Sequence, residues 1–270
     1  MVEYLYLRMI FSFVKYQGTG NDFVIIDNRD KRFPIENHDA VAQICHRNFG
    51  VGADGFIAVE QDESSDFYMR YFNADGHEGS LCGNGSRCAI HYAKTLGLTK
   101  NNVVFRAADG LHKAQFVGDE VALELHAVSH WEFRESDIFL DTGSPHHVVF
   151  VSDIDKVDVE ILGSKIAHSA PYFSDGTNVN FVQYVDANSL IVRTFERGVE
   201  AETLSCGTGV TASALAAHIS ALTTSKKIQI HTRGGNLSVS FSVTENGYES
   251  IILQGPATPV FTGVWELNQA

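Results

Sequence analysis

One pattern, repeated after 124 residues, constrains this chain of 270 residues more than any other feature. Cys82 opens the segment CGNGSRCAIHYA and Cys206 opens CGTGVTASALAA, so each cysteine precedes Gly-x-Gly and a run that reads as a helix. Shifting the first half by about this distance also places NFGVGADGFI on YFSDGTNVNF. Self-similarity at a fixed distance indicates duplication. We therefore predict two closely packed domains, residues 1–132 and 133–270, with no Gly/Ser-rich or Pro-rich linker between them.

Each half alternates short β-rich runs with one Ala-rich helix. Runs such as DFVIID, GFIAVE and VALEL, bounded by polar turns, predict strands. The helices are predicted over about residues 83–96, ending at Gly97, and over about residues 207–222. We predict an α+β fold of two pseudo-symmetric domains, each a barrel-like sheet around a central helix, with the active site in the cleft between them. The run VFTGVWEL predicts a last strand that returns to the first domain.

The charge balance limits the partners that the chain can have. The formal net charge is −13, which argues against nucleic acid and anionic membranes, because both require a basic surface. No apolar run reaches the length of a membrane span. Glu3 and Arg8 interrupt the apolar N-terminus and no small-residue cleavage site follows, so we expect a cytosolic protein without a signal peptide, with Met1 or Met9 as its start.

The four cysteines do not form a disulfide framework or a zinc site by their spacing. They are few for a large chain without an export signal, and no CxxC occurs. His126 and His130 lie in a strand-like stretch, too far apart to hold one ion, and are interpreted as surface histidines. We predict that the protein binds no metal. Cys45 and Cys88, which lie within predicted helices, are interpreted as structural.

A cysteine at the start of a helix has distinctive chemistry. The helix N-terminus carries unpaired N–H groups and the positive end of the dipole, and neighbouring glycines let a ligand approach the backbone. Such a site binds carboxylate and lowers a thiol pKa from its usual value of about 8.5. Two such units around one substrate would place a thiol on each face of the α-carbon. One thiolate and one thiol then suffice to remove a proton and return one to the other face.

This pattern favours epimerisation or racemisation without a cofactor. The chain has no lysine motif for pyridoxal phosphate, and GTGND lacks the third glycine of a dinucleotide-binding loop. Helix ends would stabilise the enolate-like charge that develops on the substrate.

At these residues the sequence resembles the diaminopimelate epimerase family. The matching segments are KYQGTGNDFVIID, FNADGHEGSLCGNGSRC, GSPHHVVFV, GTNVNFV and ERGVEAETLSCGTG, in that order, and the resemblance runs from about Ile10 to the C-terminus. It implies a cytoplasmic isomerase that interconverts L,L- and meso-diaminopimelate for lysine and peptidoglycan synthesis, and a homodimer is a family expectation.

The resemblance also implies roles for individual residues. Cys82 and Cys206 would be the acid/base pair, and His146 and Glu196 would tune their ionisation. The reacting carboxylate would bind backbone N–H groups of Gly83, Asn84, Gly207 and Thr208. The rest of the substrate would bind Asn21, Asn73, Asn178, Glu196 and Arg197. Arg197 suits the distal carboxylate, because a guanidinium binds carboxylate bidentately.

Each of these residues also has a structural interpretation. The asparagines Asn21 and Asn73 lie in turn-rich segments, Glu196 and Arg197 could form a solvated pair, and His146 could be a core histidine. Two positions depart from the family: Gly55 stands where glutamine is frequent, and Ser144 where asparagine is frequent.

Other functions stay open at this point. A proline or hydroxyproline racemase shares the duplicated fold and the paired cysteines, whereas a cyclic substrate offers no distal group for Arg197. The phenazine-biosynthesis isomerase type lacks the cysteine pair. A non-catalytic amino-acid-binding protein with a redox-sensitive Cys82–Cys206 disulfide is the alternative from a different class, and a thiol oxidoreductase lacks its CxxC.

Overall fold

The computed structural model describes residues 8–79 and 81–268 of the chain. The predicted Met1 start and the segment that contains Glu3 lie outside these residues. In chain order the described residues before position 118 form β1 (Arg8–Gly18), β2 (Asn21–Asp27), α1 (His38–Cys45), β3 (Gly55–Glu60), β4 (Phe67–Asn73), α2 (Gly83–Thr95), β5 (Asn102–Ala107) and β6 (Gly110–Val117). They continue with β7 (Glu120–Leu125), β8 (Trp131–Arg134), β9 (Asp137–Asp141), β10 (Pro145–Val151), a 3₁₀ turn (Ile154–Lys156), α3 (Val159–Ala167), β11 (Asn178–Asp186), β12 (Ser189–Glu196), β13 (Ala201–Thr203), α4 (Gly207–Ile219), β14 (Lys227–Thr232), β15 (Gly235–Thr244), β16 (Gly247–Gly255) and β17 (Thr258–Asn268). Strands dominate and helices are few, which confirms the predicted α+β class. Within this part of the chain, every helix is too short or too polar to cross a bilayer.

The described chain divides into two compact units that do not follow chain order. Unit 1 contains residues 8–18, 22–113 without Ser80, and 257–268, and unit 2 contains residues 19–21 and 114–256. Strand pairing explains the division, because β17 pairs with β1 and β7 pairs with β16. These units therefore differ in extent from the repeats predicted at 1–132 and 133–270, and the repeat boundary itself stays a prediction.

Unit 1 covers its sheet on both faces. β2 runs parallel to β3, and β3 is antiparallel to β4. Successive side chains of a strand point to opposite faces. Ile57 of β3 accordingly lies against α2, whereas Phe56 joins the apolar cluster under α1. Nearly all of α2 is buried against β1, β3 and β4.

Unit 2 surrounds its helix more completely. α4 contacts β9, β10, β11, β12, β14, β15 and β16, and it is buried from Gly207 to Ala217 except at Thr208. A helix that is apolar all round needs such an enclosure. On the far side of β11 and β12, Phe181 and Phe195 pack against α3. Each unit thus has strands around one central helix, as predicted.

The two central helices begin where the sequence predicts, and one ends earlier. α2 ends at Thr95, and Gly97 follows with a left-handed φ of 73°. α4 ends at Ile219 rather than near Leu222. Ala221 adopts a φ of 56°, and the N–H of Leu222 donates back to the Ala217 carbonyl at 3.0 Å. The chain therefore reverses before the predicted end, although Ala and Leu favour helix.

Candidate active site

Cys82 caps the N-terminus of α2 in unit 1. Its backbone is extended, with φ −105° and ψ 116°, so the helix starts at the next residue. The N–H of Gly85 donates to Cys82 Sγ at 3.4 Å, and the N–H of Ser86 donates to the Cys82 carbonyl at 2.7 Å. The sulfur, which is only half-buried, lies at the positive end of the helix dipole. This geometry favours a negative charge on sulfur.

A buried arginine supports the first turn of α2. Arg87 is completely buried, and its guanidinium donates to Asn84 Oδ1 at 2.9 Å and to the Gly83 carbonyl at 3.2 Å. These bonds fix the side chain of Asn84, which is itself 2% exposed. The two backbone N–H groups assigned to the substrate carboxylate therefore lie in a rigid turn.

Asn73 is held by a tyrosine that the sequence analysis did not single out. The hydroxyl of Tyr71 donates to Asn73 Oδ1 at 2.9 Å. An added Cβ would lie 2.7 Å from the Tyr71 ring at Gly55 and also at Gly79. The departure at Gly55 therefore has a physical reason in this chain, because a longer residue there would displace Tyr71.

Cys206 caps α4 in unit 2 with different surroundings. Its backbone has φ −116° and ψ 115°, but its side chain accepts no capping hydrogen bond from the helix, and it is 8% exposed. The nearest hydroxyl is that of Thr208, with Oγ1 at 3.5 Å from Sγ. Thr142 fixes the same turn, because its hydroxyl donates to the Thr208 carbonyl at 2.8 Å.

Polar side chains continue inward from Thr208. Its Oγ1 lies 2.9 Å from Nε2 of His146, whose Nδ1 lies 3.0 Å from Nδ2 of Asn180. Asn180 Oδ1 accepts from the hydroxyl of Thr194 at 2.9 Å. Register explains the last contact, since Asn180 and Thr194 are directly opposed on β11 and β12. Burial lowers the pKa of His146 to about 3, so the imidazole is neutral at physiological pH.

Three further predicted residues of unit 2 lie at the ends of β11 and β12. Asn178 donates from Nδ2 to the Pro145 carbonyl at 3.0 Å and accepts the N–H of Arg197 at 3.0 Å. The exposed Arg197 guanidinium donates to the Asp175 carbonyl at 3.1 Å. The half-buried Glu196 accepts the hydroxyl of Thr203. The structure thus brings Asn178 and Arg197 together.

Asn21 belongs to a short segment, residues 19–21, that packs with unit 2. An added Cβ at Gly20 would lie 2.7 Å from Leu204, and one at Gly234 would lie 1.7 Å from the Thr19 carbonyl oxygen. Gly234 also donates its N–H to the Leu204 carbonyl at 2.8 Å. The segment therefore depends on two glycines, and it lies against the residues that lead into Cys206.

The next residue, Asp22, is clamped by cations in unit 1. Burial favours its neutral form, but hydrogen bonds from Arg47 and Lys15 outweigh burial and lower the pKa of Asp22 to about 2. Arg47 also binds Asp54, at 2.6 Å. This network ties the residue after Asn21 to the residue before Gly55.

The two remaining cysteines are fully or almost fully buried, and the histidine pair His126 and His130 is exposed. Burial raises the pKa of Cys45 and of Cys88 to about 12, so both remain thiols at neutral pH. His126 and His130 are exposed and line a cavity of about 370 Å³. Burial outweighs the neighbouring positive charges, Lys15 and Arg47 beside Cys45 and Arg87 beside Cys88, so neither cysteine is a candidate nucleophile.

Sequence reasoning missed Tyr71, Arg87, Asn180 and Thr194. Their signal was weak, because a polar residue on a strand, or an arginine on a helix such as Arg87 on α2, reads as solvent-facing until the tertiary structure shows what covers it. His146 was selected, but its partner Asn180 was not.

The chain matches one protein family and its curated members over most of its length. The sequence profile described as Diaminopimelate epimerase matches residues 13–130 and 138–260. A diaminopimelate epimerase of Flavobacterium psychrophilum is 46% identical over 248 residues, covering 92% of this chain and 97% of that protein.

Solved structures share the fold at low identity. A phenazine-biosynthesis PhzF-family protein of Bacillus anthracis has a TM-score of 0.73 at 16% identity, covering 96% of this chain and 99% of that one. A hydroxyproline epimerase from Agrobacterium vitis has a TM-score of 0.68 at 14% identity, covering 98% and 95%. Because the family profile matches both halves and the relative from Flavobacterium psychrophilum is 46% identical over nearly its whole length, the chain belongs to the diaminopimelate epimerase family.

Proposed function

We propose that this protein is an isomerase that interconverts L,L- and meso-diaminopimelate, a step in lysine and peptidoglycan precursor synthesis. The observation that carries the proposal is the pair of cysteine-capped helix N-termini, Cys82 on α2 and Cys206 on α4, in a chain of this family. Each offers a thiol beside the backbone N–H groups of the first helical turn.

The chemistry uses the two thiols in opposite protonation states. The thiolate of one cysteine takes the α-hydrogen as a proton, so that the C–H bond breaks and an S–H bond forms. The electron pair of that bond delocalises into the carboxylate. The thiol of the other cysteine then donates its proton to the opposite face, which inverts the centre and leaves a thiolate. Reversing the direction exchanges the two roles.

Backbone N–H groups at both helix starts would hold the reacting carboxylate. Those of Gly83 and Asn84 in unit 1, and of Gly207 and Thr208 in unit 2, belong to the first turns, whose N–H groups have no partner within the helix. They are already in place when the enolate-like charge develops, so no reorganisation is needed at that moment. Because acid, base and charge stabilisation come from the chain itself, the proposed mechanism requires neither pyridoxal phosphate nor a metal.

The far end of the substrate would be bound by side chains. Arg197 suits its carboxylate, and Asn21, Asn73, Asn178 and Glu196 suit its ammonium and carboxylate groups. Asn73 and Asn178 are held by Tyr71 and by the backbone around Pro145 and Arg197, respectively. A cyclic amino acid would leave this set unused, which favours diaminopimelate over proline or hydroxyproline.

His146 and Glu196 would set the ionisation of the thiols. His146 is the better supported of the two, since Thr208 links its Nε2 to Cys206. The neutral imidazole would hydrogen-bond to the Thr208 hydroxyl, which lies beside the sulfur, without adding a charge to the site.

Deuterium incorporation tests the function. Reduced protein is incubated in D₂O with L,L-diaminopimelate, and in parallel with L-proline, while NMR follows the α-proton. We expect exchange and inversion at one centre of diaminopimelate. Exchange only with proline would keep the two-thiol chemistry and overturn the substrate. No exchange with either would contradict catalysis and favour the binding protein, which has no need of a thiol with a lowered pKa.

We also propose a cytoplasmic location and a homodimer. Membership in the family is the support for both. Light scattering of the purified protein should give twice the mass of 29.7 kDa, and a monomer mass would overturn the homodimer.

A further inference from the structure

Asn180 and Thr194 form a buried polar pair that substrate binding does not explain. Their exposed fractions are 0% and 3%, and they lie on the face of β11 and β12 that points toward α4. A buried amide costs free energy unless its hydrogen bonds are made, so an apolar pair would be a simpler filling for this position. Unit 1 has that apolar filling, because Phe23 and Ile57 lie against α2 at the third residue after Cys82.

The orientation of this pair fixes the imidazole of His146. The hydroxyl of Thr194 donates to Asn180 Oδ1, so the Nδ2 amide group of Asn180 faces His146 Nδ1. An amide nitrogen only donates, and a neutral imidazole has one donor and one acceptor nitrogen. Nδ1 therefore accepts and Nε2 carries the proton. Burial, with a smaller contribution from the charge of Arg197, keeps the ring neutral.

The hydrogen bonds from His146 to Cys206 run in the same donor-to-acceptor direction. Nε2–H of His146 donates to Thr208 Oγ1, and the single hydroxyl proton of Thr208 is then available to Cys206 Sγ. Every donor from Thr194 onward points toward Cys206. A hydrogen bond donated to a thiolate stabilises its charged form.

We propose that Asn180 and Thr194 are positioning residues, which orient His146 and Thr208 so that a hydroxyl donor points at the sulfur of Cys206. The inference rests on the proposed function in treating Cys206 as an acid/base residue. It assigns the ionisation of that thiol to a chain of four side chains in unit 2, of which the two innermost act through His146 and Thr208.

The test measures the ionisation of Cys206 directly. In a Cys82→Ala background, iodoacetamide labelling of the Cys206 peptide is followed by mass spectrometry across pH 5–10. We compare Asn180→Leu, Asn180→Asp and Thr194→Val with Thr211→Val, the matched control, whose hydroxyl is buried on α4 and donates to the Gly207 carbonyl. Arg197 is present in every variant, so its field is constant.

We expect Asn180→Leu to move the labelling midpoint upward by about one pH unit, which is about tenfold less thiolate below the midpoint. Thr194→Val should move it in the same direction by less, and Thr211→Val should leave it in place. Asn180→Asp should move it furthest, because a carboxylate accepts from Nδ1 and makes Nε2 an acceptor that takes the Thr208 hydroxyl away from sulfur.

Two outcomes would overturn the proposal. One is an unchanged midpoint in both Asn180→Leu and Thr194→Val. The other is an Nδ1–H tautomer for His146, read from ¹⁵N imidazole shifts assigned by comparison with His146→Gln. Neither measurement uses diaminopimelate, so their results are independent of the deuterium experiment, and Thr194→Val and the tautomer remain informative if Asn180→Leu does not fold.

Discussion

The two helix starts carry the same sequence pattern and different surroundings. At the third residue after each cysteine, Gly85 of α2 meets the side chains of Ile57 and Phe23, whereas Gly209 of α4 meets the amide oxygen of Asn180. Cys82 receives the N–H of its own helix, and Cys206 has the hydroxyl of a threonine beside it.

The difference shows that a duplicated motif preserves the backbone geometry of a site but not the hydrogen-bond partners of its cysteine sulfur. Both copies keep an extended cysteine and a helix that begins at the following glycine. What lies beneath that glycine is decided by other strands. The two thiols are therefore not interchangeable, even though the proposed reaction would use each from one face of the substrate.

Removing either thiol should have the largest effect. Cys82→Ala and Cys206→Ala should each lower the rate of epimerisation by about 10²–10⁴-fold, the range typical of a general acid or base, while the fold is retained. Circular dichroism checks the fold, and coupled turnover assays give the rate. The control is Cys88→Ala, which removes a buried thiol outside the site and should stay active. Normal turnover in either single variant would refute a two-base mechanism.

Alanine substitution at the two equivalent glycines, Gly85 and Gly209, should lower activity to different extents. A Cβ at Gly209 would lie 2.3 Å from Asn180 Oδ1 and 3.3 Å from Cys206 Sγ, so Asn180 must move and the sulfur is crowded, and we expect kcat/KM to fall by about tenfold or more, at least the equivalent of one lost hydrogen bond. At Gly85 the nearest atoms are side-chain ends at 3.2 and 3.3 Å, which can yield, and alanine favours helix by about 1 kcal/mol.

Gly85→Ala should accordingly change activity by less than Gly209→Ala does. Steady-state kinetics and urea unfolding of both variants provide the measurement. Equal losses at the two positions would mean that the polar surroundings of Cys206 do not matter to the reaction.

Acid should affect the units in different pH ranges. Burial depresses the pKa of His146 to about 3, whereas in the unfolded chain it is about 6.5. Below pH 6.5 the unfolded state binds a proton that the folded state does not. The free energy of unfolding therefore decreases as the pH is lowered, by about 2 kcal/mol from pH 6.5 to pH 5. His146→Gln should flatten this slope in urea titrations.

Asp22 of unit 1 titrates lower. The hydrogen bonds of Arg47 and Lys15 overcome burial and hold its pKa at about 2, so the stability that it contributes is lost only below about pH 4. Asp22→Asn should leave the slope between pH 7.5 and 5 unchanged. A His146→Gln profile parallel to that of the parent would show that the folded imidazole is protonated after all.

The smallest effect concerns the outer asparagines. Tyr71→Phe removes the hydroxyl that holds Asn73, and a neutral hydrogen bond contributes about 0.5–1.5 kcal/mol, so KM should rise by about two- to tenfold with little change in kcat. The side chain of Asn178 is instead held by the backbone carbonyl of Pro145 and the backbone N–H of Arg197. Tyr68→Phe on the same strand is the control, and an equal rise in KM there would remove the role of Tyr71.

Local sequence was sufficient for the features that depend on nearest neighbours along the chain. The N-terminal glycines of α2 and α4 were predicted from Cys-Gly-x-Gly, since capping and the N-terminal turn are local. The end of α4 was not, because Ala221 takes a left-handed conformation that its own propensity disfavours. Nor was the contact of Gly234 with Thr19, which lies far away in sequence.

By itself, then, the sequence determined the fold class and the paired cysteine-capped helices, because both follow from periodicity and spacing, and it determined the family through segments that resemble those of known members. The tertiary structure alone decided what surrounds each sulfur. Asn180 and Thr194 meet only because β11 and β12 pair in one register, and they reach His146 only because β10 lies beside β11. A register shift of one residue would turn both side chains away from α4, so no local pattern could have identified them.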